Sequence, residues 1–522
     1  MVLGDPENPS SDPERTIGPA SPDGLPNAHA ANPKSDGNSS QNVAGVEVTL
    51  DNAIEIVRKA GVRFFSDQFG HPFAQFPWPI PSTHWEVMSV KSRKFRHYLY
   101  ALLKKGFQEP VPQALLRDLR NLFEVEAEDA AAVNLETRIT SDSTGICIDL
   151  GDELWRTIKV TRDAYTVAQE QQIRFRRSKH MLPLVVPSDG GDPWELLSHV
   201  SVDEEKDKLL LIAWTVAAFC PDRPVPMLLF TGQQGAAKTT RCRRLRSLLD
   251  PSRVPVLGEV DDRGLLQVFY HHAVPCFENV DHFTRKRADM FCRAVTGNGI
   301  ERRKLYTDME DDLFGFRRPI LMNGIDVPSD RPDFLDRCII LSCKRMTEFK
   351  SAVTLDAEFE QARSRLLGSL LTLLVKARNL LDTTPAMSEF RMADFAHFGR
   401  AVAIALGRSP EDFDEAYRGN IGQRNRELVE DSPFARAVVA FAKKYIEDDP
   451  WKSSAENLLR EVTKQAKSVG MPTNGHSWPK SPRWLTSRLK ELSSALLAEG
   501  VVVEQLPRTN NLRPWKVYSL VE

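Results

Sequence analysis

The chain has 522 residues, 41% hydrophobic and 27% charged, enough for about three or four domains of ordinary globular composition. A net charge of −2 excludes a global basic field, so any nucleic-acid surface has to be local. Seven cysteines with no Cys-x-x-Cys pair argue against a zinc site or a disulfide framework and for reduced thiols in a cytoplasmic protein. No apolar run approaches the ~20 residues of a membrane span, and the N-terminus has no export signal.

Residues 1–45 are rich in Pro, Gly, Asn and Ser and poor in large apolar side chains, which predicts a disordered tail. Residues 46–187 read as a mixed α+β domain. A helix is expected over 51–60 with Asp51 as its N-cap. Strand pieces follow at Phe64-Phe65 and 73–76 around a Gly70 turn, then helices over 92–103 and 113–123. Residues 138–150 and 154–160 alternate as two strands about Gly151-Asp152. Arg174, Arg176, Arg177 and Lys179 form a basic cluster, read as a solvated face or as a track for a phosphate backbone. A linker over 187–193 closes the domain.

The pattern over 194–219 is helical. The stretch after it, Met227-Leu-Leu-Phe-Thr-Gly-Gln-Gln-Gly-Ala-Ala-Lys-Thr-Thr240, runs from an apolar strand through Gly232, Gln233, Gln234, Gly235, Ala236 and Ala237 to Lys238, Thr239 and Thr240. Strand, glycine-rich turn and helix start are the parts of a phosphate-binding loop, in which backbone N–H groups and the helix dipole face the phosphates. In that reading Lys238 reaches the β/γ-phosphates and the Thr239 hydroxyl holds Mg²⁺. Ala237 stands where the pattern wants glycine. The helix beyond carries Arg241, Arg243, Arg244 and Arg246, expected to face solvent or a neighbouring subunit.

A second apolar strand, 273–277, ends in Glu278-Asn279, and Glu278 is the candidate metal-directed acid. Pro275 inside a central strand and Asn279 in place of a water-activating glutamate both depart from the usual pattern, with Asp281 a substitute acting through a water. Residues 296–308 read as a protruding hairpin bearing Arg302, Arg303, Lys304 and Tyr306. Such a basic and aromatic tip suits a single strand of DNA, and an exposed hairpin with no ligand has the same pattern. The strand 318–323 ends in Asn323, a water-orienting or γ-phosphate-sensing amide or simply a turn former. Arg337 precedes the strand 338–341, either as an arginine finger or paired with Asp333 or Asp336.

The succession of phosphate loop, acid-ended strand, basic hairpin, Asn-ended strand and strand-preceding arginine resembles the superfamily-three helicases. These are a AAA+ branch found in viruses, phages and mobile elements. In particular it looks like the poxvirus-type primase-helicase ATPases and their bacterial relatives from integrated elements. The resemblance covers 195–345 well and implies an α/β AAA+ P-loop core at 194–345. It further implies a helical lid at 346–428 and a C-terminal winged helix at 429–522. In function it implies an ATP- and Mg²⁺-dependent DNA translocase, a hexameric ring with ATP between subunits. Carried over, Lys238, Glu278, Asn323 and Arg337 are catalytic, 232–240 bind nucleotide, and Thr239 and Glu278 bind metal. The alternative is a slow nucleotide-dependent switch or loader.

In the C-terminal third, 355–381, 392–406, 431–446, 451–470 and 481–499 read as helices, and 501–503 and 515–518 as strands of a wing. Residues 471–522 hold seven Lys/Arg against four Asp/Glu. Arg483 and Arg488 on the candidate recognition helix are the expected DNA contacts, with a protein–protein role the competing reading.

Overall fold

Thr49, not Asp51, caps the first helix. Extended at φ −116°, it accepts from the Asn52 amide, and Asp51 lies inside the first turn, where its charge suits the helix dipole. The computed structural model describes residues 47–78, 85–169, 175–297, 300–303, 311–345, 351–475, 478–508 and 513–520; the expected tail lies outside them. Helix α1 (Leu50–Lys59) leads into β1 (Arg63–Asp67), β2 (Pro72–Pro77), β3 (Trp85–Ser89), α2 (Arg93–Phe107), α3 (Gln113–Asp129) and β4 (Ala132–Val133). The sheet order is β3-β2-β1-β4, antiparallel except for β4 beside β1. Ala74 and Phe76 face the three helices, whose Phe95, Tyr98, Leu103 and Phe123 close the core. Phe64 stacks on Phe123 and Phe76 packs on Tyr98, each pair with ring centroids 4.4 Å apart.

Residues 138–150 are a hairpin rather than one strand. The Asp142 carboxylate accepts from the Thr144 and Gly145 amides (2.7 and 3.2 Å), which turns the chain between β5 (Ile139–Asp142) and β6 (Gly145–Asp149). With β7 (Arg156–Val160) and β8 (Tyr165–Gln169) they form an antiparallel meander. Its Ile146, Ile148, Ile158 and Val160 belong to the same hydrophobic core as the central sheet. The expected boundary at 187–193 therefore does not separate two cores. That segment is itself tied down, the Ser188 amide donating to Ser364 O at 3.1 Å.

The single helix expected over 194–219 is broken. A 3-10 turn at Pro193–Glu195 and the short α4 (Leu196–His199) are followed, after an irregular strap, by α5 (Glu205–Ala217). The chain continues through β9 (Met227–Thr231), α6 (Lys238–Leu249), α7 (Asp262–His271), β10 (Cys276–Phe277) and α8 (Arg285–Thr296). A hairpin of β11 (Ile300–Arg303) and β12 (Asp311–Phe314) precedes β13 (Leu321–Asn323), α9 (Pro332–Leu335) and β14 (Cys338–Ser342). The central sheet is parallel, in the order β10-β13-β9-β14. Its strands are buried apolar runs, as parallel sheets covered on both faces require. Pro275 interrupts nothing. It precedes β10, the last of the four strands, and its carbonyl still accepts from Leu321 N at 3.0 Å.

Helices α10 (Ala352–Leu380), α11 (Ala393–Ala405) and α12 (Pro410–Asp431) pack on one another and on α5. Asn420 of α12 closes the open edge of β14: its side chain accepts from Ile340 N (3.2 Å) and donates to Ile340 O (2.6 Å). The C-terminal module has its own core. It comprises α13 (Pro433–Ala442), β15 (Trp451–Ser453), α14 (Ala455–Ser468), α15 (Pro482–Ala498), β16 (Val501–Gln505) and β17 (Trp515–Ser519), with sheet order β15-β17-β16. Residues 451–453 pair with β17 instead of starting a helix, because Ser454 caps α14 only after them. Among the described residues no helix is long and apolar enough to cross a membrane.

Candidate nucleotide site

The loop from Gly232 to Ala237 leaves the carboxyl end of β9 and enters α6 at Lys238. Gly232 has φ 136°, and a Cβ there would stand 2.2 Å from Cys343 O, so only glycine fits between the two strands. Gly235 also lies at positive φ, 85°. Ala237 adopts φ 53°, ψ 25°, the left-handed region, which is why this position favours glycine. For an L-residue that conformation costs about 1–2 kcal/mol. An Ala237→Gly protein should keep the loop and gain up to about 1 kcal/mol of stability, read as a higher urea midpoint. A lower midpoint would mean that the methyl group is packed to advantage.

Lys238 is buried and folds back over the loop, its Nζ donating to Gly232 O (2.5 Å) and Gln233 O (3.0 Å). Gln233, Gln234 and Gly235 are exposed, while Thr239 and Thr240 are half-buried in the first turn of α6. The remaining arginines of α6 do not face solvent as expected. Arg241 donates to Ser201 O (2.7 Å) and so holds the strap before α5. Arg244 reaches His199 O (2.9 Å), Arg246 is wholly buried, and only Arg243 is exposed.

Glu278 follows β10 directly and is half-exposed. Asn279 sits at φ 51°, a left-handed position that asparagine tolerates better than glutamate. That accounts for the departure noted in the sequence. Asn323, at the end of β13, is fully buried, and its side chain is committed internally. Oδ1 accepts from Asn279 N (3.2 Å), and Nδ2 lies 3.7 Å from Cys242 Sγ on α6. It thus links the Glu278-Asn279 turn to α6.

Arg337 lies at the opposite end of the sheet from the loop. Its carbonyl accepts from Met227 N (2.7 Å), and β9 then runs the length of five residues, roughly 16 Å, before the loop begins. The half-buried guanidinium donates through Nη1 to the backbone carbonyl of Asp333, whose carboxylate is paired with Arg331 (2.7 Å). Sequence reasoning passed over Arg345. It is exposed just beyond β14, its Nε 3.8 Å from where a Cβ on Gly235 would stand. The signal was a Lys-Arg pair leaving the strand beside β9.

Behind the site, Asp250 at the end of α6 accepts from Arg138 Nε (2.6 Å) and from the Ala273 and Val274 amides (3.0 and 3.2 Å). Arg176 is buried over the Tyr270 ring, 3.5 Å from its centroid, and Arg177 pairs with Asp149 (2.6 Å) while covering Trp155. The basic cluster expected on a solvated face or a phosphate track is therefore largely internal. Arg174 lies outside the described residues, and Lys179 alone is exposed.

Residues 195–425 match the family model of the actinomycete integrative conjugative element replication protein. Residues 434–519 match that of the AICE RepA C-terminal domain. The chain belongs with the replication proteins of mobile elements. Among curated proteins none matches significantly. Two solved apo structures of the NrS-1 C-terminal region each cover 90% of this chain, and 98% of their own, at 10% identity with TM-scores of 0.41 and 0.39.

In this replication protein the first match runs from the turn before α4 into α12 and so contains the whole central sheet; the second takes in α13 to β17. The residues expected to meet DNA have different fates. Arg483, with Lys490, is exposed on α15. Arg488 is not available: only 11% exposed, it pairs with Asp330 (2.7 Å) and Glu491 (3.2 Å) and so docks α15 on the segment leading into α9. Helical spacing put Arg488 on α15 but could not show that this face is covered. The expected hairpin forms, Arg302 and Arg303 lying on β11, whereas Lys304 and Tyr306 lie outside the described residues.

Proposed function

We propose that this replication protein is an ATP-driven DNA translocase built on a AAA+ P-loop core. In this reading α10–α12 form the lid and the C-terminal module is a winged helix. The observation that carries it is the strand order. β13 lies between β9 and β10, so the phosphate loop and Glu278 open on one end of the sheet with the Asn323 turn between them. Ligands of open parallel sheets bind at the carboxyl ends of the strands.

On this reading Lys238 exchanges the loop carbonyls for the β/γ-phosphates, and the backbone amides from Gly232 to Thr240 line the phosphates. The Thr239 hydroxyl and the Glu278 carboxylate are hard oxygen donors of the kind that hold Mg²⁺, which supplies charge neutralisation on the triphosphate when bound. Arg345 adds positive charge above Gly235. Asn323 keeps Glu278 in register with α6. Arg337 is too far from its own loop and acts on the ATP of an adjoining protomer in a ring, after leaving Asp333. Arg483 and the β11–β12 hairpin grip DNA.

The second reading, a slow switch or loader, is favoured by Asn279, which cannot take a proton from water. Steady-state ATPase measurements with and without single-stranded DNA separate the two. The motor reading expects DNA stimulation and a loss of about a hundredfold or more in both Lys238→Ala and Arg337→Ala. Mixing the two inactive variants should restore part of the activity, since only shared sites can complement. A DNA-independent, near-zero rate would leave the switch standing.

A further inference from the structure

The chain before residue 195 lies outside both family matches. Its helix α2, Arg-Lys-Phe-Arg-His-Tyr-Leu-Tyr-Ala-Leu-Leu-Lys-Lys-Gly-Phe, contains no acidic residue. One face is buried through Phe95, Tyr98, Leu99, Leu103 and Phe107. The other exposes Arg93, Arg96, His97 and Lys104, with Tyr100 half-buried among them. From Arg93 to Lys104 is eleven residues, roughly 16 Å of helix, about the axial length of five phosphates on one DNA strand.

Carboxylates are plentiful nearby, and the flanking cations use them. Arg58 pairs with Glu126 (2.8 Å), Lys91 with Glu124 (2.5 Å) and Lys94 with Glu86 (2.7 Å). Among the described residues, no ion pair engages Arg93, Arg96 or Lys104. The stripe is thus left cationic while the cations that flank it, Arg58, Lys91 and Lys94, are paired. It also offers no exposed large hydrophobic residue, and a protein partner would need such an anchor at the centre of its interface. A rail of cations without an apolar centre fits a phosphate backbone.

We propose that α2 is a second, sequence-independent DNA contact, binding the backbone of a duplex through Arg93, Arg96 and Lys104. The contact needs no nucleotide, so it stands or falls separately from the motor reading. The test uses the full chain without ATP and a labelled random-sequence duplex of about 30 base pairs, titrated over a range of salt. Substituting Arg93→Gln, Arg96→Gln and Lys104→Gln together should weaken binding more than tenfold near 0.1 M salt. The log–log salt slope should fall by about 2.7, the value for three lost phosphate contacts at ~0.9 each. The control Arg93→Lys with Arg96→Lys should keep the slope. All substituted positions are exposed, so the thermal unfolding profile should not move. A triple variant with an unchanged duplex slope overturns the proposal, and so does a loss confined to single strands.

Discussion

An Asp250→Ala protein should lose about 3–5 kcal/mol of unfolding free energy, the usual cost of removing one partner from a buried ion pair. Asp250 is 4% exposed and faces two fully buried arginines, Arg138 and Arg246. Burial alone would raise its pKa, but Arg138, Arg246 and His272 outweigh burial and hold the carboxyl below its ordinary value. Arg138 spends its remaining donors on Asp149 O and Leu182 O, and Arg246 donates to Pro255 O and to His272 Nδ1. Alanine would therefore strand two guanidinium groups and also free the Ala273 and Val274 amides. Asp250→Asn separates the two costs: it can still accept from those amides but leaves the cations unbalanced, so it should fall between wild type and alanine. Urea unfolding followed by tryptophan fluorescence measures both. An alanine variant within about 1 kcal/mol of wild type would mean that the cluster relaxes or admits water, and that Asp250 is no keystone. The structural stake is positional, because Asp250 joins the far end of α6 to the strand that leads into Glu278.

What the sequence disclosed was local. Gly232, Gly235 and Lys238 could be read because a strand, a tight turn and a helix start lie within fifteen residues, and each residue type has one backbone reason to be there. Ser92 and Ser481 likewise mark the starts of α2 and α15 through caps three residues long. The features missed are pairings across long stretches of chain. Arg138 meets Asp250 112 residues away, and Asn420 meets Ile340 80 residues away. Arg488 reaches Asp330 across two modules. No periodicity encodes such partners, so arginines that look solvated in sequence proved internal. Helix α12 was hidden for a different reason: it is polar around most of its circumference. Its Ser409–Asp412 capping box was the available signal. The β5–β8 meander looked separate because Pro and Gly over 187–193 imitate a linker, yet its apolar face is buried in the central core.

Asp207 should make the protein's stability fall as pH rises through about 6. The side chain lies in the first turn of α5 and is 2% exposed, and its Oδ1 has no hydrogen-bond partner. Burial pushes its pKa up to about 6 from 3.8, only partly offset by Lys206 and Asn420. The sign follows from linkage. The folded state holds the proton more tightly than the unfolded chain, so folding is unpenalised below about pH 4. The penalty then grows between the two pKa values and is complete above about 7. A shift of this size corresponds to something on the order of 2–3 kcal/mol. Asp207→Asn, nearly isosteric and uncharged, should therefore be the more stable protein at pH 8 and indistinguishable from wild type near pH 4. The comparison must be a difference between the two proteins, because His271 and His272 act in the opposite sense. Burial and neighbouring cations hold them down to about 4 and about 2, so their contribution is present above pH 6.5 and lost on acidification. Those histidines are common to both proteins and cancel. Because Asp207 is tied through Asn420 to the open edge of β14, the strand that ends beside the Gly232–Ala237 loop, its ionisation should also loosen the docking of α12. Faster amide exchange at Ile340 in wild type at pH 8, absent in Asp207→Asn, would show it. Equal exchange and equal urea midpoints at both pH values would mean that water reaches the carboxylate and that the helix is indifferent to its charge.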